Sequence, residues 1–402
     1  MTYVVGLVLY AILLLVMYRF FPNLLGAGAP PKPQDVSTLV QRAQAKEQEA
    51  KAPTLTSNER LSKLREAEQL YREIASKAPK SDAGINAEFQ IARLYEQDKL
   101  AGDKETANLE QARNVYKQLV NSFDKNRTAT ITLDGRPQTV PVWETANNKL
   151  EGVLLRLDRE HSKNPLYWII DTLVRITGRV PGFSYWFAIL LITVVVKSAL
   201  YPLQKTSMVN MQKMAALQPK VKEIQERYKG RPAVETNQAI QNLYKESGVN
   251  IAGGCLPMLL QGAALIPLYW TFQHYEYQFR HGTFLWIGSA LSYQYPNIIA
   301  TSLAAFDVPL LVIYIISMFL QSKFMPMTAP STDPEQAQQQ KMMSYMMPAM
   351  FGVFMFFWKL PSAFTLYWLG LNVITVIQQA QIMKHTKALA PPVTPSLSVA
   401  TA

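Results

Sequence analysis

Residues 183–203, FSYWFAILLITVVVKSALYPL, form an apolar run that contains one charge, Lys197. At ~1.5 Å per residue a helix of that length spans about 31 Å, the thickness of a bilayer's hydrocarbon core. An ammonium at that depth costs ~2.5–3.5 kcal/mol on insertion scales, so it needs a partner, a water-filled cavity or a route to the interface. Two readings stand side by side. In one, Lys197 snorkels along about 12 Å of helix toward the end marked by Lys205. In the other, Thr193, Tyr201 and Gln204, at i−4, i+4 and i+7, make a polar stripe with it that suits a wet groove.

The chain has 402 residues, 49% of them hydrophobic, and these cluster into long runs. Such clustering predicts a polytopic membrane protein rather than a set of soluble domains. The net charge of +11 collects beside the apolar runs, where anionic phospholipid and topology account for it. No groove-reading motif accompanies it, so no specific nucleic acid recognition is expected. A single cysteine, Cys255, excludes an intramolecular disulfide, and four scattered histidines supply no metal set. Neither cofactor nor enzymatic chemistry is expected.

The first 22 residues read as an N-terminal transmembrane anchor, with Arg19 and Pro22 behind the apolar run. Ala27-Gly28-Ala29 resembles a signal-cleavage site, but the missing basic leader and the length of the run favour a retained anchor. Residues 23–53, rich in Pro, Ala and Gln, read as a semi-rigid linker. A mostly helical domain over 54–163 follows. Ser57 or Asn58 can cap its first helix, which carries Leu61, Leu64, Tyr71 and Ile74 and stops at Pro79. The segment EAEQLYREI recurs loosely as EQARNVYKQL, pairing Ala67 with Ala112 and Tyr71 with Tyr116, a pattern that resembles tetratricopeptide repeats. TATITLDGRPQTVPV predicts a small β-hairpin turning at Asp134-Gly135, and helix returns over 143–159.

Residues 164–182 segregate apolar and charged side chains by face and carry Trp168, as an amphipathic interfacial helix does. Beyond the Lys197 span, residues 204–248 hold eight Lys or Arg against four Glu and read as a helical hairpin broken at Gly230. Met208, Met211 and Met214 stripe its first arm, as core packing or as an adaptable surface for varied partners. Further spans are expected over 255–272, with Pro257, Pro267 and an interior Gln261, and over 298–320, 342–358 and 364–383. In the 298–320 span, Pro309 favours a membrane portion starting at Val308, with Asp307 at the interface. On the last span Trp368, Asn372 and Gln379 join Thr365 and Thr375 near one face. The fold class expected is an all-α polytopic membrane protein with six predicted transmembrane helices. Lys/Arg bias places the termini and the hairpin in the cytoplasm and residues 23–182 outside, leaving residues 386–402 as a disordered tail.

The strings WFAILLITVVVKSALYPLQKTSMVNMQKMAALQPKVKEIQERYK, LYKESGVNIAGGCLPMLLQGAALIPLYW and DPEQAQQQKMMSYMMPAMFGVFMFFWKLPSAFTLYWLGLNVITVIQQ resemble the YidC insertase family, with its mitochondrial Oxa and chloroplast Albino relatives. The resemblance covers residues 164–385. It implies an insertase membrane core, over 183–385, whose groove opens to the cytoplasm and to lipid and has one positive charge in its wall. Lys197 stands where most members have arginine, Thr193 matches the groove threonine, and Trp368 stands where an aromatic is common. The family also implies that the hairpin receives substrates. Relatives in Gram-negative bacteria carry a β-sandwich-type domain where this chain reads as helical.

The function expected is insertion and folding of nascent membrane proteins in the bacterial inner membrane, without a covalent step. Lys197, Thr193, Tyr201, Gln204, Gln261, Trp368, Asn372 and Gln379 would line the groove, with Met208, Met211 and Met214 contacting substrate. A Sec translocon and the ribosome are candidate partners. Two rival classes are a small-solute transporter or channel, which would show internal repeats between its halves and paired broken helices, and an anchored scaffold acting through its helical domain.

Overall fold

The computed structural model describes residues 33–133, 135–249, 266–324 and 334–387. The chain is predominantly helical, with one two-stranded antiparallel sheet among the described residues. It divides into two compact units, one ending at Glu160 and the next beginning at His161. The expected anchor over 1–22, Gln261 and residues 388–402 lie outside the described residues.

In the first unit, the stretch expected to be linker instead carries a helix, α1, over Pro33–Glu49. Pro33 stands at its first position, where a fixed φ and a missing N–H cost nothing. Leu39 and Ala43 are buried. Helix α2, Ser57–Lys77, is capped by Thr56, one residue before Ser57 and two before Asn58: Thr56 and Glu59 form a reciprocal capping box. Such a box satisfies two orphan donors and is worth ~1 kcal/mol. Helices α3, Asp82–Glu96, and α4, Glu105–Ser122, follow, each packed on its predecessor. Ala67, Tyr71, Ala112 and Tyr116 are all buried.

A repeated hydrogen bond joins successive helices. Tyr71 donates to Glu47 of α1 at 2.7 Å, Tyr95 to Glu68 of α2 at 2.7 Å, and Tyr116 to Glu96 of α3 at 3.2 Å. Each burial of an aromatic ring is thus registered by a polar tip on a charged acceptor. At the start of α3, a Cβ on Gly84 would lie 2.0 Å from the Ala78 carbonyl oxygen, so only glycine lets the chain double back there.

Strands β1, Thr128–Leu133, and β2, Arg136–Pro141, pair antiparallel from Thr128↔Pro141 to Leu133↔Arg136, with Gly135 at φ +78° in the connection. One edge of β1 faces α3. The Thr130 N–H donates to Asp82 at 2.9 Å, the Thr132 N–H to Asn86 at 2.8 Å, and Gln90 donates to the Thr132 carbonyl at 2.8 Å. Spacing of four on the helix thereby meets spacing of two on the strand. Helix α5, Val142–His161, buries Leu150, Val153, Leu154 and Leu157 and ties Arg156 to Glu96 and Glu105.

The second unit opens with α6, Pro165–Ile176, capped by Asn164, with Tyr167, Ile170 and Val174 buried and Leu166, Trp168, Ile169 and Ile176 exposed. Gly178 at φ +83° and Arg179 at φ +53° then reverse the chain. Arg179 pairs with Asp171 at 2.7 Å, and Tyr275 donates to the same carboxylate oxygen at 3.0 Å.

Helix α7 runs unbroken over Ser184–Ala216. The span and the first hairpin arm, expected to meet at residue 204, are therefore one rod, since no glycine interrupts residues 184–216 and Pro202 is absorbed within the helix. Helices α8, Gln218–Arg227, and α9, Ala233–Glu246, complete the hairpin around Val221, Tyr244 and Val249, with Gly230 at φ +91° between them.

Helix α10 covers 266–274. Within the stretch 298–320 the helix begins at Val308, as α11, Val308–Phe324, at the start that Pro309 in the first turn favours. Residues 298–307 form an irregular approach closed by Asp307. Its buried carboxylate accepts from Trp286 Nε1 at 3.0 Å, from the Ala300 N–H at 2.9 Å and from the Leu310 N–H at 2.7 Å. Helices α12, Pro334–Trp358, and α13, Ser362–Lys387, are joined by a turn with Lys359 at φ +46°. Helix α12 starts before residue 342, where the span was expected to begin. Helix α13 packs against both α7 and α11, and α12 packs on α11.

Among the described residues one helix, Ser184–Met214, is long and apolar enough to cross a membrane. The apolar stretches Val308–Ser322 and Pro348–Trp358 are shorter.

Candidate functional site on α7 and α13

Burial along α7 recurs at Tyr185, Ala188, Ile189, Ile192, Thr193 and Lys197, the three-and-four spacing of one helical face. The neighbouring face is exposed at Val194 and Val195. Lys197 therefore turns its ammonium inward, at 2% exposure, rather than outward with the valines. Among the described residues no carboxylate pairs with it. Tyr201 and Gln204 continue the same line, half-buried.

Helix α13 supplies the facing wall. A Cβ on Gly370 would lie 3.1 Å from Leu190 Cδ2 and 3.4 Å from Thr193 Cγ2, so the two backbones approach closely at Thr193. Small residues at helix contacts serve this purpose where no hydrophobic effect drives association. The Thr193 hydroxyl is engaged locally, donating to the Ile189 carbonyl at 2.7 Å, and Thr375 does the same to Leu371 at 2.6 Å.

Below Gly370, α13 buries Asn372, Thr375 and Gln379. Asn372 donates to Ser317 of α11 at 2.9 Å, which fixes its amide between helices. Gln379 Oε1 and Trp368 Nε1 are buried with no hydrogen-bond partner among the described residues. So is the Tyr314 hydroxyl, on a ring 6.4 Å from that of Trp368. Buried polar atoms of this kind are costly unless water or another chain satisfies them.

The three methionines divide. Met208 is buried, Met214 packs on the hairpin core with Leu217, Ile240 and Leu243, and the Met211 side chain lies outside those described. Gln261 is likewise outside. Sequence reasoning passed over Tyr314, Ser317 and Gly370. Tyr314 and Ser317 stand three apart in the otherwise apolar stretch 308–320, which is the same signal that marked Thr193 and Lys197.

Residues 166–389 match the family model described as 60Kd inner membrane protein. The chain is 42% identical over 221 residues to a protein of Haemophilus influenzae (strain PittEE) named Membrane protein insertase YidC, covering 55% of this chain and 36% of that protein. A protein of the same name from Mannheimia succiniciproducens is 40% identical over 221 residues, again 55% and 36%. One from Shewanella loihica is 41% identical over 216 residues, 54% and 35%. The match thus spans little more than a third of the length of these curated relatives.

Proposed function

This chain belongs to the 60Kd inner membrane protein family, that of YidC and Oxa, and on that footing we propose that it is an insertase for nascent membrane proteins in the bacterial inner membrane. The observation that carries the reading is Lys197. A lysine turned inward beside Thr193, on the face where α13 approaches, has no described counter-charge, so it favours an incoming anion and ordered water.

In the mechanism, a hydrated groove admits polar termini or short loops partway, which shortens the distance they cross without water. Lys197 attracts acidic substrate residues. Trp368 Nε1, the Tyr314 hydroxyl and Gln379 Oε1, left unpaired among the described residues, offer exchangeable hydrogen bonds. Tyr201, Gln204, Gln261 and Asn372 extend the polar lining, and Met208, Met211 and Met214 meet substrate at the hairpin. Hydrophobic segments then leave sideways into lipid, driven by burial at ~25 cal/mol per Å².

The proposed topology has six spans with both termini and the basic hairpin cytoplasmic. The first unit is extracytoplasmic, and its tyrosine-clasped helices resemble tetratricopeptide repeats. Anionic phospholipid, a Sec translocon and the ribosome are the proposed further partners. The test is photo-crosslinking from position 197 to a stalled nascent membrane protein. Adducts are expected; a folded, abundant protein that yields none at 197 while yielding them at Met208 would move the substrate path away from the lysine.

A further inference from the structure

We infer that the turn Phe284–Ile287 is a lipid anchor, which presents Leu285 to the bilayer leaflet at the end of the bundle where α7 begins. The turn is tightly built. Phe284 and Ile287 exchange both backbone hydrogen bonds, at 3.2 and 2.8 Å, and leave Leu285 and Trp286 at the tip. Trp286 is held inward by its bond to Asp307, and Ile287 is buried. Leu285 points the other way, 71% exposed.

Its backbone makes that exposure informative. Leu285 adopts φ +51°, the left-handed region in which a turn tip facing water is served by glycine, asparagine or aspartate without steric conflict. A bulky apolar residue there accepts both backbone strain and hydration of its side chain, unless the surroundings are apolar.

The location supplies such surroundings. The Thr283 N–H donates to the Pro181 carbonyl at 2.8 Å, which pins the turn to the segment entering α7. Phe284 lies 5.5 Å from the ring of Trp186, and Trp186 lies 5.4 Å from Phe183, so a continuous aromatic surface joins the turn to the first turn of the membrane-crossing helix. Trp186, with its N–H bonded to the Gly182 carbonyl at 2.7 Å, sits where an amphipathic ring marks the headgroup boundary. Leu285, next in the chain to Phe284, is therefore set at interfacial depth, and Val180 and Phe183 in the segment entering α7 are exposed as well.

The inference rests on α7 crossing the bilayer. Its test uses the full chain with Cys255→Ser, reconstituted in vesicles of phosphatidylethanolamine and phosphatidylglycerol. Nitroxide labels are placed at Leu285→Cys, at Val195→Cys as the mid-helix reference and at Lys125→Cys as the aqueous reference. The expected result is collision with oxygen favoured over a water-soluble nickel chelate at 285, severalfold above the ratio at 125 and in the direction of 195. A chelate-dominated signal at 285 with a lipid signal at 195 overturns the anchor alone. An aqueous signal at 195 overturns the spanning reading and the anchor with it. Shielding of 285 from both reagents identifies a protein neighbour and overturns lipid as the occupant. If the label at 285 disturbs folding, Phe183→Cys repeats the measurement on the same surface with the same outcomes.

Discussion

Gly370 lies against Thr193: a side-chain carbon on the glycine would stand 3.4 Å from Thr193 Cγ2 and 3.1 Å from Leu190 Cδ2. The α7–α13 contact is thus set by a missing methyl group. Gly370→Ala asks only the flexible end of Leu190 to give way, and is expected to cost under ~1 kcal/mol. Gly370→Leu cannot be accommodated without parting the helices, and an overpacking loss of ~1–3 kcal/mol is expected. Thermal unfolding in detergent, read beside insertion in vesicles, checks both.

Lys197→Met removes a buried ammonium with no described counter-charge, so stability and activity are expected to move in opposite directions. Stability rises by up to ~2.5 kcal/mol, the order of the insertion penalty, while insertion of a substrate with an acidic loop falls. Lys197→Arg restores the charge and the activity. Parallel melting curves and protease-protection assays decide, and a methionine variant that is both less stable and inactive would make Lys197 a structural residue.

Glu88 is the carboxylate to titrate in the first unit. Burial pushes its pKa up to about 7, opposed by the hydrogen bond from Gln118, while its second oxygen is buried without a partner among the described residues. A carboxyl whose folded pKa is raised favours folding when protonated. Its contribution is complete below the ordinary carboxylate pKa and is lost as pH climbs toward about 7. Glu88→Gln is therefore expected to stabilise α3 at pH 8 by on the order of 2 kcal/mol and to change little at pH 4. Amide exchange of α3 in the intact protein, compared at the two pH values, measures it.

Asp307→Ala would leave the Ala300 and Leu310 N–H groups and Trp286 Nε1 without their acceptor. Loss of a cap together with unpaired buried donors is expected to cost about 3 kcal/mol. Amide exchange should rise at Leu310 while α13 stays protected. Asp307→Asn, which keeps one acceptor oxygen, should fall between.

The membrane-facing part of this chain was legible where local chemistry decides. The i−4 relation between Thr193 and Lys197 placed both on one buried face, and Asp307 followed by Pro309 marked the start of α11. The 33–49 helix was not legible, because composition averages over Pro30, Pro31 and Pro33, whereas only tertiary packing buries Ala43 and brings Glu47 to Tyr71. The prolines that suggested a linker include the one that starts the helix. Thr56 was displaced from notice by the equally suitable Ser57 and Asn58, and only the bond to Glu59 distinguishes them. The continuity of α7 through Ala216 was hidden by the change from apolar to basic residues, which alters the medium around a helix and not its backbone.

The two-stranded sheet of the first unit has a consequence for a protein that would meet unfolded clients. An exposed ladder invites an extended polypeptide to add itself as a third strand. Here the outward donors of Thr130 and Thr132 are already occupied by Asp82 and Asn86. On the other strand Pro137 and Pro141 have no N–H to offer, and they flank Thr139 at the same two-residue parity. Between those prolines, at that parity, only Thr139 keeps an N–H, so an extended polypeptide finds little of a ladder to join at either border of this sheet.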